Sequence, residues 1–109
     1  MKVFSSAEGD IYKIGTSAAE NWGLLAAASQ KDYFFHLSAF PSGYVILRYR
    51  REPTEDMIRT GAQLCKEATR YRNYRDIRVD YCPCSNLKRG EDVGEVEYKS
   101  NRKVRTVKV

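Results

Sequence analysis

The chain has 109 residues, 42% of them hydrophobic and 30% charged, with only three prolines, which describes one folded domain and sets aside a multidomain or disordered chain. Its longest apolar stretches, Trp22 to Ala28 and Tyr44 to Leu47, fall far short of the roughly 18 residues a membrane span requires. The formal charge is +5 and no apolar signal-peptide core precedes the first acids of MKVFSSAEGDIYK, so the expectation is a soluble, cytoplasmic, basic domain.

KVFSS and DIYKIG alternate apolar and polar residues across the turn AEGD, which predicts an opening β-hairpin. TSAAENWGLLAAAS follows, with Ser17 and Glu20 at capping-box spacing, each able to satisfy a free amide at a helix start. Trp22, Leu25 and Ala26 are expected on one face of that helix. YFFHL and YVILRYR, separated by Pro41-Ser42-Gly43, read as a second antiparallel pair.

Thr54 before Glu55 and Asp56 caps a second helix, in which Met57, Ile58, Gly61, Leu64, Cys65 and Ala68 recur at helical spacing up to about Tyr71. Arg59, Lys66, Glu67 and Arg70 are assigned to its solvated face. IRVDYC reads as a strand and PCSNLKRGEDVG as a loop, and EVEYK and KVRTVKV are expected to form a closing hairpin about Ser100-Asn101. The order is roughly ββαββαβββ, a single α+β domain over residues 1–109 with two helices packed on a largely antiparallel sheet.

Charge is unevenly placed. Residues 1–47 carry three Lys/Arg against four Asp/Glu, whereas residues 48–109 carry sixteen against ten. Such a basic half attracts polyanions through its summed field, nucleic acid or anionic lipid being the usual partners. The last strand carries Lys103, Arg105 and Lys108, where edge protection against aggregation competes with phosphate binding as the explanation.

The chemistry of catalysis is sparse. His36 is the only histidine, and a strand through FFHLS puts Phe34, His36 and Ser38 on one face and Phe35 and Leu37 on the other. No nucleophile elbow, P-loop or paired-carboxylate signature accompanies it, so no enzyme is expected. Cys65, Cys82 and Cys84 are an odd count without framework spacing, which fits reduced thiols. Zinc wants about four ligands, usually as two separated pairs, and beside Cys82-Pro83-Cys84 the only other candidates are the isolated His36 and Cys65, so neither metal nor cofactor is expected. Arg48 and the Lys88-Arg89 pair suit phosphate oxygens, while His36, Tyr44 and Trp22 offer rings for stacking on a base.

Two ordered blocks carry a family resemblance. Gly15, Asn21, Leu24, Asp32-x-Phe34-Phe35-His36, Ser42-Gly43 and Val45-x-Leu47-Arg48 form the first, and YCPCSNLKRGEDVGEVEY the second. Together, over roughly residues 11–109, they resemble the NFACT-R domain, and most closely its stand-alone eukaryotic form among coiled-coil-domain-containing relatives. The resemblance implies an RNA-binding module, of the kind that serves ribosome-associated quality control beside a coiled coil and an NFACT-N domain. This chain carries neither companion, so the implication covers nucleic-acid binding and not peptide tailing. DNA sensing is attached to close stand-alone relatives, so DNA is a second possible partner.

Matched residue by residue, Asn21, His36, Arg48, Lys88 and Arg89 fall on signature positions and are taken as candidate binding residues. Tyr44, Trp22, Arg102 and Lys103 are added from the ring and charge reading. Gly15 and Gly94 are assigned to turns that need permissive backbone, and Asp32 to fixing the start of its strand. The chain departs from the family pattern at three places: Phe34 replaces a Trp, Tyr44 a His, and Trp22 an acidic residue. Phe34 is read as core, Tyr44 as a ring that cannot become cationic, and Trp22 as a large surface leaning toward the core. The function expected is RNA binding through backbone phosphates without sequence readout, to a structured, transfer or ribosomal RNA, with Arg48, Lys88, Arg89 and the Arg70 to Arg78 and Lys99 to Lys108 segments positioning the phosphates and His36 and Tyr44 near the contact surface. The competing expectation is a protein-interaction module in which an exposed carboxyl-terminal edge strand pairs with a partner.

Overall fold

The computed structural model describes residues 1–109. Strands β1 (Lys2–Ser5) and β2 (Ile11–Ile14) form the opening hairpin, followed by helix α1 (Ala18–Ala27). Strands β3 (Tyr33–Leu37) and β4 (Val45–Arg48) pair next, then helix α2 (Glu55–Glu67) and strand β5 (Arg78–Pro83). A 3-10 turn at Cys84–Asn86 leads into strands β6 (Leu87–Arg89) and β7 (Val96–Tyr98), and a second such turn at Asn101–Lys103 leads into β8 (Arg105–Lys108). The architecture is α+β: a six-stranded antiparallel sheet in the order β1-β2-β4-β3-β5-β8, and a separate two-stranded sheet of β6 and β7.

Period-2 alternation gives the large sheet two buried faces. Tyr12, Ile14, Phe35, Leu37, Val45, Leu47 and Val79 point to one, where α2 adds Ile58, Ala62 and Cys65 at helical spacing. Phe34, Ile46, Tyr44 and Cys82 point to the other, which is covered by Leu24 of α1 and Leu87 of β6. The turn between β3 and β4 is closed by Ser42, whose Oγ accepts the Leu37 amide at 3.1 Å. Gly61 lets α2 sit on the ring of fully buried Phe35: a Cβ there would lie 2.5 Å from Phe35 Cζ.

The caps act as the spacing predicts, with one change of partner. Ser17 Oγ accepts the Glu20 amide at 3.2 Å, while the Glu20 carboxylate reaches back past Ser17 to the Thr16 amide at 2.9 Å and hydroxyl at 2.7 Å. Thr54 Oγ1 accepts from Met57 N at 3.2 Å and starts α2.

Five expectations are corrected. α1 buries Asn21 and Leu24, leaving Trp22 and Leu25 half-buried and Ala26 exposed, because the sheet below meets the helix on the Asn21–Leu24 side. α2 ends at Glu67 rather than near Tyr71, since Thr69 N and Oγ1 both bond to the Lys66 carbonyl and turn the chain. Lys66 does not belong to the solvated face: it is buried, and its ammonium donates to the Val109 carbonyl at 3.1 Å. PCSNLKRGEDVG is not a plain loop, because Leu87–Arg89 forms β6. β7 and β8 do not form a hairpin: β7 pairs with β6 and β8 with β5. Asn86 holds both backbone groups of Ser100, through Nδ2 to O at 2.9 Å and N to Oδ1 at 3.0 Å, so the chain is redirected there onto the edge of β5.

Candidate nucleic-acid interface

The α1-covered face gathers most of the sequence-derived candidates. Asn21 projects inward from α1, 7% exposed, and its Oδ1 accepts the buried Tyr44 amide at 3.2 Å. A Cβ on Gly15 would land on that same Oδ1, and one on Gly43 would land on the Gly15 carbonyl. Gly15 is thus required for space rather than for its backbone angles. Gly94 needs both, with φ at +84° and Ala18 of α1 2.7 Å from a built Cβ. Tyr44 is buried and its hydroxyl donates to the Gly94 carbonyl, which ties β4 to the loop before β7. Asn21 and Tyr44 are therefore engaged with the fold, and burial pushes the Tyr44 phenol up to about 12.

His36 stands on the same face, half-buried, parallel to the Phe34 ring at 6.2 Å and edge-on to Tyr44 at 5.7 Å. Its Nδ1 lies 2.7 Å from the Leu37 carbonyl, an acceptor only, which assigns the proton to Nδ1 and leaves Nε2 as an acceptor. Burial lowers its pKa, opposed by the backbone bond and by Asp80. The ring lines a cavity of about 240 Å³ with Tyr44, Asp80, Glu95 and Tyr98. Asp80 accepts from Ser38 Oγ at 2.5 Å and from Tyr98 OH at 3.1 Å. Both charges lining this cavity are negative, so the cavity suits a hydrogen-bond donor and disfavours a phosphate.

The candidate cations do not converge there. Arg48 lies four residues along β4 from Tyr44, roughly 13 Å at the usual strand rise, and its Nε is 3.8 Å from the Asp32 carboxylate. Asp32 is buried and accepts the Ser29 amide at 3.0 Å, which fixes the turn into β3. Lys88 sits across the small sheet from Glu97 and pairs with it at 3.6 Å. The Arg89 guanidinium covers the Trp22 ring at 4.7 Å, and Trp22 Nε1 donates to the Glu95 carbonyl at 3.0 Å. Arg102 and Lys103 are exposed in the second 3-10 turn.

The Arg70 to Arg78 segment, expected from its charge to position phosphates, also carries a ring cluster that charge alone does not indicate. Tyr71 stacks on Phe40 at 4.3 Å, Tyr74 meets Tyr71 edge-on at 5.4 Å, and the Arg70 guanidinium lies 5.3 Å from the Tyr71 ring. Arg72, Arg75 and Arg78 are exposed beside them. Arg78 faces Lys108 directly across the β5–β8 ladder, one same-face step beyond Asp80. The alternation of Arg and Tyr in RYRNYR was the available signal.

The three cysteines are buried and free, with thiols pushed up by burial to about 11 at Cys65 and Cys82 and about 12 at Cys84. No group of three or more His, Cys, Asp or Glu side chains is placed to hold a metal ion, and no helix is long and apolar enough to cross a membrane.

No protein-family model matches the chain, and no curated protein matches it. Among solved structures it is similar to the C-terminal part of the fibronectin/fibrinogen-binding protein from Streptococcus suis, with a TM-score of 0.86 and 21% identity. The likeness covers 98% of this chain and 43% of that one, so the chain spans less than half of its neighbour's length. At that identity the likeness shows the fold.

Proposed function

We propose that the chain is a noncatalytic, NFACT-R-like nucleic-acid-binding module of the cytoplasm, taking RNA in preference to DNA through its phosphates and without sequence readout. The natural targets are structured, transfer or ribosomal RNAs in translation or ribosome-associated quality control. One observation carries the reading: of nineteen Lys and Arg side chains, only Arg48 and Lys88 lie within ion-pair distance of a carboxylate. Fourteen Asp and Glu are present to neutralise them, yet the others are left to project a positive field that steers polyanions. The affinity for a single-stranded RNA, measured against salt, tests this. It should fall with a log-log slope of about −0.7 per neutralised phosphate, and a flat dependence rejects the reading.

A second reading, a protein-interaction module, has its own observation. The sheet has two open edges, β1 and β8, and on or beside β1 the side chains of Met1, Val3 and Phe4 are 58%, 55% and 45% exposed. The Streptococcus suis neighbour is described as binding fibronectin or fibrinogen, and an exposed apolar edge is a template for strand addition. Binding to purified fibronectin that survives nuclease and high salt, and is lost in Val3→Lys, supports this reading over the first.

A further inference from the structure

We infer that the turn from Arg70 to Arg78 is a platform for unpaired nucleotides, with Tyr74 stacking on a base and Arg72 and Arg75 taking the flanking phosphates. This inference rests on the RNA-binding reading and assigns the part of the molecule that meets the single strand.

The turn is held in shape. Tyr71 N bonds to Thr69 Oγ1 at 3.1 Å, Arg72 N to the Thr69 carbonyl at 3.3 Å, and Tyr74 N to the Tyr71 carbonyl at 2.9 Å. Phe40, from the β3–β4 connection, supports Tyr71 from below, and Tyr71 in turn meets Tyr74 edge-on. Tyr74 is left 56% exposed at the top of this column, with no hydrogen bond from its hydroxyl to the protein. A single exposed ring is ordinary; one braced by two others and flanked along the chain by the exposed, unpaired Arg72 and Arg75 has the composition of a single-strand site. Arg70, Arg72, Arg75 and Arg78 form no ion pair, and Asp76 is the only acid in the segment.

The same end of the sheet carries two cations outside any ion pair. Arg78 and Lys108 are directly opposed on one face of the edge pair β5–β8, an arrangement of like charges that weakens a ladder unless something negative lies across it. Ser38, whose amide bonds to the Arg78 carbonyl at 3.0 Å, puts the β3–β4 connection at the same end. Arg78 and Lys108 project from the sheet face that carries Asp80 and His36, whereas Tyr71 and Phe40 pack against the α2-side core, so the rings and this cation pair belong to the same end of the sheet but to its two faces. Bases inside a duplex are already stacked on each other and cannot reach a ring that stands on a turn, whereas unpaired bases can.

Fluorescence anisotropy with labelled oligouridine and with a fully paired, blunt-ended RNA duplex of similar length tests the assignment. The wild-type domain should prefer oligouridine. Tyr74→Ala should lose on the order of tenfold on oligouridine, as base–aromatic stacking does, and change little on the duplex. Tyr74→Phe should retain wild-type affinity, and Arg72→Gln with Arg75→Gln should flatten the salt slope by about 1.4. Circular dichroism confirms folding of each variant, and Tyr74 is exposed enough for Ala to be tolerated. Salt-sensitive oligouridine binding that Tyr74→Ala leaves intact overturns the platform while the RNA reading stands. Absence of RNA binding overturns both, and binding then found to phosphatidylserine vesicles or to an acidic peptide reassigns the patch to that partner.

Discussion

Asn21→Ala separates a residue that builds the site from one that touches ligand. Asn21 matches a signature position of the resemblance, yet its Oδ1 is the only hydrogen-bond partner of the buried Tyr44 amide. Alanine leaves that amide without an acceptor, which costs about 1–3 kcal/mol, and removes an amide group packed against Gly15 and near Gly43. A loss of about 2 kcal/mol corresponds to a fall in Tm of roughly 8 °C for a domain of this size. Differential scanning calorimetry measures the fall, and anisotropy below the transition measures RNA affinity. The expected result is a lower Tm with affinity per folded molecule unchanged. An unaltered Tm with weakened binding refutes the reasoning and makes Asn21 a contact.

Other perturbations probe different parts of the same argument. Gly61→Ala gains about 1 kcal/mol of helix propensity, but its Cβ meets the Phe35 ring at 2.5 Å, an overpacking that costs about 1–3 kcal/mol; urea unfolding should show a net loss, restored in part by Phe35→Leu. His36 has its pKa lowered by burial, so the unfolded chain takes up the proton first. Stability is then full above 6.5, falls as pH drops from there to the native pKa, and levels off below it; an NMR titration midpoint at or above 6.5 contradicts this. Lys88 is paired with Glu97, so Lys88→Gln with Glu97→Gln leaves the net charge unchanged and should leave the RNA salt slope unchanged; a flattening of about 0.7 marks Lys88 as a phosphate contact.

The elements that the sequence made legible are those with a complete local signal. Ser17 and Thr54 announce the helices, alternation announces β1, β2 and β5, β-rich composition announces β3 and β4, and Pro41-Ser42-Gly43 announces the turn between them. The order of strands is set by partners distant in the chain, β2 against β4 and β3 against β5, and no local pattern encodes that. β6 has only three residues, too few to show a period. Ser100-Asn101 carries true turn chemistry, but the side chain that redirects it, Asn86, lies 14 residues upstream. The candidate site suffered in the same way. Period-2 reading placed Phe34 and His36 together correctly, whereas Glu97 and Asp32, which neutralise Lys88 and Arg48, become neighbours only through folding. Lys66 was assigned to water because helical projection ignores the carboxyl-terminal strand that covers it.

Two kinds of environment therefore lie next to each other on the β5 end of the sheet, and their difference carries the functional argument. Around His36 most polar groups are engaged: Asp80 accepts two hydroxyls, Tyr44 is bonded to Gly94, and Nδ1 is bonded to Leu37, which leaves Nε2 free. A neutral imidazole beside two carboxylates gains nothing from a phosphate and offers Nε2 to a hydroxyl or amino hydrogen. One step along β5, Arg78 and Lys108 confront each other with no acid between them, and the arginines of the preceding turn add to the same field. Repulsion between such cations weakens the folded domain, and an anion sitting across them relieves it. A strand of RNA supplies that anion at regular intervals, and its 2′-hydroxyl is a donor of the kind that the neighbouring imidazole can accept. On the RNA-binding reading, the acidic cavity takes a 2′-hydroxyl and the cationic turn the phosphates of one RNA chain, a pairing that DNA, lacking that hydroxyl, does not offer.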